Sequence, residues 1–77
     1  MELEWVQSSE TVWVLEQNFP AGLYKVIAHV LSTPVGWIIR NRNSMRYPGV
    51  YETCEEAKAM AVILIRMEAA DGPLHSR

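Results

Sequence analysis

The sequence predicts a two-layer α+β domain: an antiparallel β-meander of three to four strands with one C-terminal helix packed on one face, in the order β-β-β-β-α. Three observations carry this. Residues 53–70, TCEEAKAMAVILIRMEAA, bring apolar side chains back at spacings of three and four. The first forty residues alternate instead, in short runs rich in Val, Ile and Trp that are separated by turn-forming groups. A chain of 77 residues supports one domain around one core, here expected over 1–72, with 73–77 as a flexible C-terminal tail.

Residues 1–7 form a short strand, with Leu3 and Trp5 on one side and Glu2 and Glu4 on the other. Ser8-Ser9-Glu10 is a turn, and Thr11 to Glu16 a second strand in which Val12 and Val14 oppose Trp13 and Leu15. Pro20 and Gly22 punctuate the next turn. Leu23 to Leu31 is the longest strand; simple alternation puts Tyr24, Val26, Ala28 and Val30 on the face that meets the helix. The same alternation puts Leu23, Lys25, Ile27, His29 and Leu31 on the other. A turn at Ser32-Thr33-Pro34 leads into Val35 to Arg40, where Gly36 leaves room for a neighbouring aromatic ring. Residues 47–51 are an edge strand or an extended lead-in, kept from the sheet centre by Pro48.

The helix has legible ends. Thr53 is the N-cap, and Glu56 three residues later completes a capping box. Asp71-Gly72-Pro73 predicts its end. Ala57, Met60, Ala61, Leu64 and Met67 share the core side, whereas Lys58, Val62 and Arg66 fall opposite, where replacing Lys58 costs little. Ile63 and Ile65 widen the apolar arc beyond what one small sheet covers.

The balance of seven basic and nine acidic residues gives a net charge of −2, and so no bulk attraction to nucleic acid or an anionic membrane. Cys54 is the single cysteine, which excludes an intrachain disulfide and points to a reducing, cytoplasmic setting. No signal-peptide pattern opens the sequence, and its longest apolar run is too short to span a bilayer. No cofactor fingerprint is present. His29 lacks a nucleophile or carboxylate partner at local spacing, and His75 lacks a second ligand at metal spacing. Cys54 lies near the positive end of the helix, but Glu55 and Glu56 oppose activation of its thiol. No catalytic pair emerges, and the chain is not expected to be an enzyme.

Two surfaces remain. Arg40, Arg42 and Arg46, followed by Tyr47, form a local basic patch in which cations and a stacking ring can grip a phosphate or single-stranded nucleic acid. Trp13, Leu23, Ile27, Leu31 and Trp37 on the sheet, with Val62, Ile63 and Ile65 on the helix, exceed what a single helix–sheet contact buries. They point to a homo-oligomer or a foreign protein partner. The leading expectation is a non-enzymatic interaction module, of a size that fits an inhibitor or adaptor of a phage or mobile element. Nucleic-acid binding through the arginine loop is the alternative.

Tyr47-Pro48-Gly49, then Thr53 and Glu55-Glu56-Ala57, resembles the end of the meander in antitoxins of the HicB type. That resemblance implies a partly degraded ribonuclease-H-like sheet. The order of strands read here departs from that pattern, no strand follows the helix, and the shared residues are turn and capping residues. No family is assigned from them.

Overall fold

A computed structural model describes residues 2–75, with side chains described through residue 68. Strands β1 (Glu2–Ser9), β2 (Val12–Asn18), β3 (Tyr24–Thr33) and β4 (Gly36–Asn41) form one antiparallel sheet in the order β1-β2-β3-β4. Helix α1 (Cys54–His75) packs against it, mainly over β3 and β4. This is the predicted β-β-β-β-α meander.

The turns sit slightly downstream of their expected places. Glu10-Thr11 joins β1 to β2, with Ser8 left as an extra residue where the register shifts between Gln7 and Ser9. A single 3-10 turn, Pro20–Gly22, precedes β3, and the Phe19 amide donates to the Leu23 carbonyl across it. Pro34-Val35 joins β3 to β4; the Thr33 hydroxyl donates to the Gly36 carbonyl at 2.7 Å and closes the turn.

Register and burial assign the faces. Val30 pairs with Trp13 and Ile39, and both Val30 and Ile39 are fully buried in a cluster with Ala57 and Ala61 of α1. Trp5, Trp13 and Trp37 pack around that cluster, with Tyr51, Met60 and Leu64. Small residues set the layer spacing: Ala57 and Ala61 on the helix and Ala28 on the sheet have no exposed surface. Larger side chains there would hold the backbones apart and leave the flanking tryptophans unsupported.

Strand β3 does not keep its simple alternation. Leu15 pairs with Ala28, but Glu16 pairs with Val26, so Ile27 is an extra residue opposite β2. This bulge reverses the facing of the residues before it. Lys25 pairs with Gln17, which pairs with Leu3, so Lys25 lies on the helix side, and Tyr24 and Val26 lie on the open side. The expected facing of Tyr24, Val26, Lys25 and Ile27 is therefore corrected, whereas that of Ala28, Val30, His29 and Leu31 holds.

The helix starts at its predicted cap. Thr53 Oγ1 accepts from the Glu56 amide at 3.1 Å, and the Thr53 hydroxyl lies 3.2 Å from Glu56 Oε1. Its end is corrected: α1 continues through Gly72 and Pro73 to His75. Pro73 falls in the last turn, where its missing N–H forfeits one intrahelical bond instead of interrupting a long ladder. The expected flexible tail thus has 73–75 within α1, and 76–77 lie outside the described residues. Met67, expected in the core stripe, is 56% exposed, and the stripe is buried only at Ala57 and Ala61, with Met60 and Leu64 packed beside them.

Residues 46–51 run back along β4 without becoming a strand. Isolated bridges join Arg40 to Arg46 and Trp37 to Tyr51. Gly36 makes the approach possible. Its φ is +139°, and a Cβ there would lie 2.6 Å from Val50 Cγ1 and 2.7 Å from the Tyr51 carbonyl oxygen.

Candidate functional site: the open face of the sheet

α1 covers one sheet face, and among the described residues no second helix or sheet lies over the other, where Ile38 is nonetheless buried by its neighbours. Three cross-strand rows build that open face. Val12, Leu31 and Ile38 are opposite one another in one row; Val6, Val14, His29 and Arg40 form the next. Glu4, Glu16 and Val26 form the third. The face is therefore apolar through its centre, acidic where β1 and β2 begin and end, and basic at β4. Glu4 and Glu16 are direct cross-strand partners, an unfavourable like-charge pairing. Asn18 Nδ2 donates to Glu4 Oε1 at 3.1 Å and partly offsets it.

The residues expected at an interface divide between the faces. Leu31 lies half-buried on the open face. Trp13 and Trp37 turn to the helix side and pack around the core, since Trp13 pairs with Val30 and Trp37 with Ser32. Ile27 is carried to the helix side by the bulge and lines a cleft with Ile65. Leu23 precedes β3 and is 65% exposed beside Phe19 and Tyr24, at the corner of the sheet. On α1, Ile63 is exposed and Val62 half-buried. Sequence alternation missed Val6 and Val26 because it does not reveal which face the helix leaves uncovered; pairing the strands in register identifies both.

The arginine patch is also split. Arg40 and Arg46 are bridge partners and so point to the same side, whereas Arg42 sits in the following turn and lines the cleft under α1. That turn is tightly held: Asn41 Oδ1 accepts from the Asn43 amide at 2.8 Å and from the Met45 amide at 3.0 Å, and Ser44 takes a φ of 65°. Tyr47 is not an exposed stacking ring. It packs against the core cluster, and its buried hydroxyl has no partner at hydrogen-bonding geometry among the described residues. Burial, reinforced by the nearby Glu68 carboxylate, raises its pKa to about 12.

Cys54 also packs against the core. Burial pushes its thiol pKa up; Lys58 counters this and Glu55 adds to it, so the helix N-terminus does not produce a reactive thiolate. Among the described residues, no group of three or more His, Cys, Asp or Glu side chains could hold a metal ion, and no helix is long and apolar enough to cross a membrane. No protein-family model, curated protein or solved structure matches this chain.

Proposed function

We propose that this chain is a small non-enzymatic protein-interaction module that pairs with a second copy of itself through the open sheet face, in a reducing, cytoplasmic setting. The observation that carries the reading is the apolar centre of that face, where exposed Val6 and half-buried Val12, Val14 and Leu31 lie in adjoining rows around Ile38, itself already buried. A small monomer gains by covering such a surface. The charge layout favours a second copy as the cover. Glu4 and Glu16 flank one side of the apolar centre and Arg40 the other, so a twofold axis along the strands lays each acidic margin against the partner's basic one.

Sedimentation from low micromolar to near millimolar protein tests this. A dimer is expected, dissociated by Leu31→Asp with helix content retained. Glu4→Arg weakens it, and Arg40→Glu in the same chain restores it. A soluble monomer throughout that range overturns the reading. Ile27→Asp does not test this face, because Ile27 turns to the helix side.

A second reading, contact with nucleic acid, is favoured by the side-by-side placement of Arg40 and Arg46. It requires salt-dependent binding of a single-stranded oligonucleotide that disappears when both are replaced by Ala. Arg42 and Tyr47, turned elsewhere, are not needed in it.

A further inference from the structure

The β3 bulge produces a second feature on the helix side. Between the outer half of the sheet and the turn of α1 that carries Ile65 and Arg66 lies a cleft of about 700 Å³. Leu3, Ile27 and Ile65 give it an apolar lining, and Lys25, Arg42 and Arg66 bring three cations to it. These come from distant parts of the sequence: two strands, the β4 turn and the helix. Without the extra residue Ile27, Lys25 would face away from it. Among the described residues none of the three cations lies in an ion pair. Glu68 lines an adjoining hollow of about 380 Å³ with Arg42, so among the described lining residues the cations are in excess.

We infer that this cleft binds a small amphipathic carboxylate, with its apolar chain along Leu3, Ile27 and Ile65 and its anionic end held by Lys25, Arg42 and Arg66. The volume lies in the range of small-molecule sites, which are mostly apolar with a few convergent polar groups. A free inorganic anion would leave the aliphatic lining in water, and an uncharged chain would leave the cations unused. Arginine matches a carboxylate in bidentate geometry, and lysine adds a mobile point charge. The cleft and the open face lie on opposite sides of the sheet, so this inference stands apart from self-association.

The test is a titration of the full-length protein with decanoate, held below micelle-forming concentration and followed by amide chemical shifts. Decanol and acetate are the controls. Saturable shifts centred on Lys25, Ile27 and Ile65 are expected, with decanol and acetate each binding about tenfold or more weakly. The triple variant Lys25→Glu, Arg42→Glu, Arg66→Glu should lose decanoate binding with its circular dichroism unchanged. Should that variant not fold, Arg42→Glu alone, at an exposed turn position, should still weaken decanoate severalfold and leave decanol unaffected. Absence of saturable shifts, equal binding of decanol, equal binding of acetate, or binding indifferent to the charge reversals would each overturn the inference.

Discussion

The Lys58 ammonium stands 3.3 Å from the centroid of the Trp13 ring and 5.7 Å from that of Trp5. The helix thus reaches two strands it does not lie directly over. A side chain expected on the solvent face ties β1 and β2 to α1, its aliphatic stem covering apolar surface while its charge meets the ring faces. Lys58→Ala is expected to destabilise the fold by about 1–2 kcal/mol, above the few tenths typical of a surface site. Lys58→Met, which keeps the stem and loses the charge, should recover part of that. Urea unfolding followed by tryptophan fluorescence reads both; an Ala variant as stable as the parent would show that the contact contributes nothing.

Gly36→Ala should destabilise by roughly 1–3 kcal/mol, because it adds a methyl group at a φ of +139° and drives it into Val50 and the Tyr51 carbonyl. Gly22→Ala provides a contrast. It too has positive φ, +76°, but an added Cβ would meet nothing within 4 Å. The difference between the two melting temperatures reports the clash together with the harsher φ at Gly36, and loss of amide protection at Tyr51 in the Gly36 variant would locate the clash.

Tyr47 makes the fold alkali-sensitive. Its pKa is raised from 10.0 to about 12 in the folded state. The stabilisation from keeping the phenol neutral is fully present below pH 10, where the unfolded chain is also protonated. As pH rises from 10 toward 12, only the unfolded phenol ionises, and stability falls. Tyr47→Phe removes both this loss and a buried hydroxyl that has no partner at hydrogen-bonding geometry among the described residues. Thermal melts from pH 8 to 11.5 should show the parent losing stability more steeply than the variant. Parallel curves would contradict the assignment.

Most of the fold was legible in the sequence because its signals are local. The alternation of Val12 to Leu15, the punctuation at Pro20 and Pro34, and the capping residues Thr53 and Glu56 each act within a few residues. What escaped was set by pairing between segments. The run LYKVIAHVL alternates without interruption and carries no glycine to mark the bulge at Ile27, yet that bulge decides the facing of Lys25 and Tyr24. Lys58 drew the same kind of error: helical periodicity places it away from the centre of the stripe of Ala57, Ala61 and Leu64, yet it lies one turn before Ala61, and Trp13 on β2 meets it there. The division of the large apolar residues, with tryptophans around the core and valines on the open face, needed the register.

Strand β1 is joined to the sheet on one side only, and among the described residues nothing pairs with its outer backbone. Such an edge is a template for ribbon growth, and its glutamates then act as a register selector. When two copies of β1 align antiparallel, opposed residues share a face. A ribbon centred on Trp5 sets Glu4 against Val6 and Glu2 against Ser8; one centred on Glu4 sets like charges together, and one centred on Leu3 sets Glu2 against Glu4. Charge therefore admits some alignments and refuses others. Exchanging both residues for glutamine would lift the refusal, and light scattering would register it as a lower concentration threshold for extended assembly.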